Sequence, residues 1–233
     1  MNGKILLTSF QTWLPHQKSN ASDDLLEAIA QLDNLSPCLT FLRQLPVDVP
    51  QAMHRVLAKI DELQPDGIIC CGMAETRPKL TVESCATCGY ASYRIRLYGY
   101  CLSICKRLRL KGLQAFLQSL LVRSNQPERI LIKTSVDLEN LVADLARTEI
   151  SHDAGKFVCE GLYFQVLKYL RERNLNIYCI FVHVPVLTPD NTSGILADFQ
   201  MIIEKMASLV GTDGNGNLDS AACGLGNSSR DSE

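Results

Sequence analysis

The sequence predicts a single α/β domain, built on a mostly parallel, twisted sheet with helices on both faces. Short apolar runs alternate with segments of helical periodicity along the chain, and this alternation is typical of parallel sheets. A chain of 233 residues with 46% hydrophobic content can also bury one substantial core. We expect this domain to span residues 1–210. Residues 211–233 are rich in Gly, Asn and Ser, so they are expected to form a disordered tail.

The first half of the domain is predicted to contain three strands and two helices. Lys4–Thr8 is a continuous apolar run, which is typical of a strand buried on both faces. A helix capped by Ser22 follows, with Asp23 and Asp24 in its first turn, and it ends near Leu32. The remaining elements are a strand over Leu39–Leu45, a helix from Pro50 to the residue before Pro65, and a strand over Gly67–Cys71.

The second half is predicted to continue this alternation. Its elements are a short strand over Leu80–Glu83, helices over Val136–Leu145 and Ala154–Arg171, a strand over Ile177–Val182, and a last helix over Leu196–Leu209. Functional groups in such sheets gather beyond the carboxyl ends of the strands. Trp13, Glu83, His183 and the loop before Cys159 are therefore expected to approach one edge of the sheet.

Bulk properties exclude several classes of function. A formal net charge of −2 predicts no general attraction to nucleic acid or to an anionic membrane. No apolar run reaches the roughly 18–20 residues that span a bilayer, and the N-terminus lacks a signal-peptide pattern. The cysteines, including adjacent Cys70 and Cys71, indicate buried thiols in a reducing cytoplasm. The lone pair Cys85 and Cys88 has no second ligand pair nearby, so we expect no zinc site.

Residues 89–129 form an atypical basic stretch, which we interpret as an insertion or an excursion outside the core. Nine basic residues and a single acid, Glu128, lie between Gly89 and Lys133. An amphipathic helix around Leu113–Leu121 has two interpretations. One is a solvated basic face over a helix that packs on the core. The other is a helix that contacts a partner or a membrane surface.

Cys159 and His183 are the residues with the clearest chemical pattern. Cys159 lies near the predicted start of a helix, where a thiolate is favoured, and His183 ends an apolar strand 24 residues later. The pair suggests a nucleophilic cysteine with a histidine as its proton-transfer partner. Either residue alone is more often structural. Glu83, at the end of another apolar strand, completes a Cys-His-acid trio if it orients the histidine.

Five segments of the chain together resemble the pyroglutamyl peptidase I (pyrrolidone-carboxylate peptidase) family. The Gly-Leu-Ala-x-x-Arg loop of that family is similar to Gly72–Arg77, and its Ser-Ala-Gly-x-Tyr-x-Cys-Asn motif is similar to Asp153–Glu160. The His-Val-Pro motif is present at His183–Pro185. The other two segments are Lys4–Trp13 and Leu45–Val47. The order Glu83, Cys159, His183 matches the catalytic trio of the family.

The chain departs from the family pattern around the entrance to the expected site. Trp13 replaces a smaller aromatic residue, and Leu14 and Pro15 stand where the family has two glycines. An expected Asn falls at Cys88. The Arg-Ile-Pro-Asp-Asn segment of the family has only a partial counterpart in Arg94–Ile95. Substrate binding is therefore expected to differ more than the catalytic trio does.

The resemblance implies a cysteine aminopeptidase that removes N-terminal pyroglutamate from peptides through a thioester, without a metal or cofactor. Cys159 would be the nucleophile, held as a thiolate by His183, and Glu83 would orient the imidazole. Phe10 and Trp13 would hold the lactam ring. Backbone N–H groups near Cys159, with Arg77, would stabilise the oxyanion. Homo-oligomerisation stays open. Two alternatives remain: a non-enzymatic binding protein with this fold, and a cysteine hydrolase of another small amide.

Overall fold

The computed structural model describes residues 3–15, 17–32, 38–88, 130–155 and 157–213, in which strands and helices alternate. The strands are β1 (Ile5–Phe10), β2 (Leu39–Leu45), β3 (Gly67–Met73), β4 (Leu80–Glu83), β5 (Cys85–Cys88), β6 (Ile130–Lys133), β7 (Thr148–Ser151) and β8 (Tyr178–Val184). The helices are α1 (Ala21–Ala30), α2 (Val49–Leu63), α3 (Leu138–Val142), α4 (Val158–Glu172) and α5 (Thr192–Asp213). None of these helices is long and apolar enough to cross a bilayer.

Six strands form one sheet in the order β2-β1-β3-β8-β4-β7. The sheet is mostly parallel, as predicted, but β4 runs antiparallel to β8, with Thr81 opposite His183 and Glu83 opposite Phe181. A parallel return would need a crossover of a dozen or more residues, whereas only residues 74–79 connect β3 to β4. Glu83 therefore lies two residues below His183 in the sheet. The expectation that β4 ends at the same edge as the other strands is wrong.

The sheet separates two hydrophobic cores, because alternate residues of each strand face opposite sides. One core packs α1, α3 and α5 against residues such as Ile69 and Val182. The other packs α2 and α4 against residues such as Ile68 and Phe181. Glu83 and His183 project to the same side as Phe181, which is the side covered by α4.

Local capping chemistry sets several helix boundaries that the sequence pattern misplaced. The N-cap of α1 is Asn20, whose side chain accepts a hydrogen bond from the Ser22 amide at 3.0 Å, so Ser22 itself is helical. The helix α4 begins at Val158 rather than Ala154, since Gly155 has a φ of +91° that a helix does not admit. The helix α3 is shorter than predicted. The helix α5 runs from Thr192 to Asp213 and is therefore longer at both ends than the predicted Leu196–Leu209.

Three short strands escaped the sequence analysis. The strands β5 and β6 pair antiparallel, with Cys88 opposite Ile130, while β7 pairs with β4. A strand of four residues carries little periodicity, so strands of this length are recognised only in part; β4, of the same length, was predicted. The pairing of β5 with β6 brings together the two residues that flank the basic stretch. That stretch, residues 89–129, lies outside the described residues, as does 214–233, so the expectations for both stay predictions.

Candidate active site

The strands β3, β8 and β4 bring a glycine, a histidine and a carboxylate together on one face of the sheet. Gly72 pairs with His183 in register across β3 and β8. Glu83 lies on the neighbouring strand, diagonally below His183, and same-face diagonal neighbours are within reach of long side chains. His183 Nδ1 lies 2.7 Å from Glu83 Oε1, and the imidazole packs on the Phe181 ring with centroids 4.9 Å apart. A carboxylate only accepts, so Nδ1 donates and Nε2 is left for another partner.

Glu83 is fully buried, and its carboxylate is held asymmetrically. Oε1 accepts hydrogen bonds from both His183 and Arg77, while buried Oε2 accepts none from any residue that the structure describes. The Tyr163 hydroxyl on α4 also donates to the Glu83 carbonyl oxygen at 3.1 Å, which fixes the backbone. A buried carboxylate without a partner is costly. The positive charge of Arg77 therefore explains how the Glu83 carboxylate can be buried here.

Cys159 is the second residue of α4, and its sulfur lies directly over Gly72. A methyl group at Gly72 would lie 2.7 Å from Cys159 Sγ and 3.0 Å from the Phe181 ring, so only glycine admits the sulfur here. Because Gly72 pairs with His183, this contact places the thiol beside the histidine strand. The residue remains half-buried rather than sealed.

The electrostatics of the thiol differ from the sequence expectation. Burial, together with the negative charge of Glu83, raises the pKa of Cys159 to about 12. The backbone N–H of Cys159 and the charge of Arg77 lower this pKa, but they do not outweigh burial. Burial and the charge of Glu83 therefore oppose the thiolate that the sequence predicts, so a base next to the sulfur is needed to take its proton.

Arg77 links the carboxylate to the loop that precedes Cys159. Nη1 donates to Glu83 Oε1 at 2.5 Å and also to the Thr81 hydroxyl. Nη2 donates to the Asp153 carbonyl oxygen at 2.7 Å. Both Nη groups of the guanidinium are therefore engaged by protein atoms, whereas the resemblance implied that Arg77 helps to bind the substrate by stabilising its oxyanion.

An exposed aromatic pair lies beside the start of α4. Trp13 is 53% exposed and Phe157 is 74% exposed, and their ring centroids are 6.0 Å apart. Phe157 was not predicted as a site residue. The sequence carried no clear signal for it, because the place of Phe157 as an N-cap without a side-chain cap hydrogen bond is visible only once the helix start is known. Phe10 instead lies in the core cluster against which Cys159 packs, and it is only 2% exposed.

The residues of the candidate site include a thiol, an imidazole and a carboxylate, which can act as nucleophile, base and orienting acid. Within the ranges that the structure describes, no three or more His, Cys, Asp or Glu side chains are grouped to hold a metal ion. The geometry therefore brings Glu83, His183 and Arg77 into one hydrogen-bonded group next to Cys159, with Trp13 and Phe157 outside it. Such an arrangement can support nucleophilic attack by sulfur and proton transfer by an oriented imidazole.

Comparison with known proteins gives one consistent result. A family model described as pyroglutamyl peptidase matches residues 3–206. The pyrrolidone-carboxylate peptidase of Vibrio campbellii is 27% identical over 210 residues, which cover 88% of this chain and 90% of that protein. Its counterpart from a Thermoanaerobacter species is 27% identical over 184 residues, covering 79% and 83%.

Solved structures share the fold. Pyroglutamyl peptidase I from Bacillus amyloliquefaciens superposes with a TM-score of 0.59 at 18% identity, covering 90% of this chain and 95% of that one. Pyrrolidone carboxyl peptidase from Thermococcus litoralis gives a TM-score of 0.63 at 16% identity, covering 94% and 100%. At these identities the structural likeness concerns the architecture alone.

Proposed function

The chain belongs to the pyroglutamyl peptidase family, and from that premise we propose that it is a cysteine aminopeptidase removing N-terminal pyroglutamate from peptides. The observation that carries the proposal is the buried 2.7 Å hydrogen bond between Glu83 and His183, next to a cysteine at a helix start. That bond leaves Nε2 of the histidine available for proton transfer. Six cysteines whose side chains the structure describes are free thiols, which supports a cytoplasmic location.

In the acylation step, Cys159 Sγ attacks the carbonyl carbon that joins pyroglutamate to the next residue. Because the pKa of Cys159 is raised, His183 accepts the thiol proton as the S–C bond forms. The negative oxygen of the intermediate is stabilised by N–H groups at the start of α4. His183 then protonates the departing amide nitrogen as the C–N bond breaks. The shortened peptide leaves with a new amino terminus, and pyroglutamate stays bound as a thioester.

Deacylation reverses the proton path. His183 takes a proton from water as the water oxygen attacks the thioester carbonyl, and the S–C bond then breaks. The sulfur recovers a proton from His183, and free pyroglutamate leaves. Glu83 keeps the imidazole oriented through Nδ1 and stabilises its cationic form in both steps.

Specificity would come from the apolar surface beside the nucleophile. Trp13 and Phe157 form an aromatic wall suited to a neutral five-membered lactam, and a charged glutamate would be disfavoured because burying an unpaired carboxylate is costly. Phe10 would support this wall from the core. Trp13→Ala is expected to raise KM more than it lowers kcat. Unchanged kinetics in that variant would place the substrate elsewhere.

The decisive experiment measures release of a fluorophore from pyroglutamyl, prolyl and glutaminyl amides. We expect turnover of the pyroglutamyl amide alone. Cys159→Ala and His183→Ala should each abolish it, while Cys38→Ala, which changes another half-buried thiol, should not. Cleavage of a different amide by the same cysteine would indicate a hydrolase of another specificity. Activity of wild-type level in Cys159→Ala would refute the mechanism.

A further inference from the structure

Arg77 contacts the two parts of the site that must meet for catalysis. One Nη group binds the carboxylate that orients His183, and the other binds the Asp153 carbonyl oxygen in the loop leading to Cys159. We propose that Arg77 is a positioning residue, which holds the Glu83–His183 pair and the Cys159 loop in one fixed geometry. This inference rests on the proposed function, since it assigns a role within the same reaction.

The placement of Arg77 fits this role better than direct substrate binding. Its side chain is 24% exposed, and both Nη groups already donate to protein atoms. A guanidinium is planar, so two Nη groups can satisfy two acceptors that lie apart. The acceptors here belong to different elements, the strand β4 and the segment between β7 and α4. No other group of the chain is described as contacting both Glu83 and Asp153.

The charge of Arg77 also bears on the nucleophile. Glu83 is fully buried, so without the guanidinium its negative charge would be uncompensated and would act fully on the nearby thiol. Arg77 and Glu83 have opposite effects on the pKa of Cys159, while Cys70, on the strand below, adds to the increase. Removing the cation should therefore make the thiol harder to ionise and should loosen the histidine at the same time.

The test compares Arg77→Ala and Arg77→Lys with Arg43→Ala. Arg43 is a matched control, because it also pairs with a carboxylate, that of Asp23, and its side chain is 28% exposed. With a pyroglutamyl coumarin amide, we expect kcat of Arg77→Ala to fall about 10- to 100-fold, with KM changed less than about two-fold. Added guanidinium should restore part of kcat. Arg77→Lys keeps the charge but cannot reach both acceptors, so its kcat should lie between that of Arg77→Ala and that of the wild type.

A second readout needs no substrate and stays informative even if the pyroglutamyl amide is not cleaved. Iodoacetamide labelling of Cys159 is followed by mass spectrometry across neutral and alkaline pH. We expect the labelling rate of Arg77→Ala to fall at each pH, whereas Arg43→Ala should match the wild type. If Arg77→Ala does not fold, the kcat and the Cys159 labelling rate of Arg77→Lys test the proposal instead, and both should be lower than in the wild type.

Three results would overturn the proposal. One is an increase in KM with unchanged kcat, which would assign Arg77 to the substrate. Another is wild-type labelling of Cys159 together with wild-type kcat in whichever Arg77 variant folds. A loss of thermal stability alone, equal to that of Arg43→Ala, would also reduce Arg77 to a structural role.

Discussion

Two arginines of this protein each hold a buried carboxylate, and the two pairs differ in how fully the carboxylate is satisfied. Asp23 accepts four hydrogen bonds, two from Arg43 and one each from Ser9 and Gln44, so both oxygens are occupied. Among the residues that the structure describes, donors reach the Glu83 carboxylate only at Oε1, which is shared between Arg77 and His183. A saturated carboxylate stabilises the fold, whereas a carboxylate that shares one oxygen with an imidazole can respond when that imidazole gains a proton.

The surroundings of the two pairs agree with this division. The Asp23 pair ties α1 to β2, and the groups that bond to Asp23, a guanidinium, a hydroxyl and an amide, do not titrate near neutral pH. The Glu83 pair lies beneath Cys159 and contacts the one histidine of the site. The same chemical motif thus serves two purposes, and substitutions in each pair can separate activity from stability.

The largest expected effect follows from Glu83→Gln. An amide cannot stabilise an imidazolium as a carboxylate does, so kcat should fall about 10²- to 10⁴-fold, leaving residual turnover. The free energy of unfolding should change less than in Asp23→Asn, because Glu83 is fully buried and its Oε2 has no partner among the described residues, so neutralising it relieves a desolvation cost that offsets the lost ion pair. Steady-state kinetics and urea unfolding of the same sample test both statements. A large loss of stability with normal kcat would remove the distinction between the pairs.

Asp23→Asn should give the reverse outcome. It leaves the guanidinium of Arg43 and its neighbours without a charged acceptor, and we expect a loss of about 1–3 kcal/mol in the free energy of unfolding. The kcat and KM of the folded enzyme should stay within about two-fold of wild type. Urea unfolding and kinetics at a temperature well below the transition provide the measurement. A kcat loss comparable to that of Glu83→Gln would indicate that this pair also shapes the active site.

The sequence predicted three residues that the structure brings together at the candidate site, but it did not predict their arrangement. Cys159, His183 and Glu83 were identified because helix starts and strand ends are visible in apolar patterns. The antiparallel course of β4 was missed, since strand direction depends on the crossover and not on the strand itself. The shared oxygen of Glu83 depends on that direction, because it arises from the diagonal between β4 and β8.

The two arginine pairs were also out of reach of sequence patterns. Asp23 was interpreted as a first-turn acid that favours the helix dipole, and its actual partner, Arg43, lies 20 residues away on a neighbouring strand. Long-range ion pairs of this kind depend on register, which no local pattern encodes. Likewise, the raised pKa of Cys159 results mainly from burial of the thiol in the folded structure, which no local pattern encodes.

The smallest expected effect, and the finest test of the comparison, is the pH dependence of stability. Burial alone would raise the pKa of Asp23, but hydrogen bonds from Arg43, Ser9 and Gln44, with the charge of Arg43, lower it overall. The unfolded chain has an ordinary Asp pKa of about 3.9, so the stabilisation is fully present above that value. It is lost as the pH falls through the lower pKa of the folded state. The unfolding free energy of the wild type should therefore decrease more steeply below about pH 4 than that of Asp23→Asn.

Urea unfolding at a series of acidic pH values, at constant ionic strength, measures this difference. Asp24→Asn is the matched control, because Asp24 follows Asp23 in the same helical turn. Among the residues that the structure describes, the Asp24 carboxylate accepts a side-chain hydrogen bond only from the exposed Ser19 hydroxyl. Its pH profile should run parallel to the wild type. If Asp23→Asn also runs parallel, the four hydrogen bonds of Asp23 do not favour its charged form. The saturated pair would then contribute packing rather than electrostatic stability, and the contrast with Glu83 would rest on geometry alone.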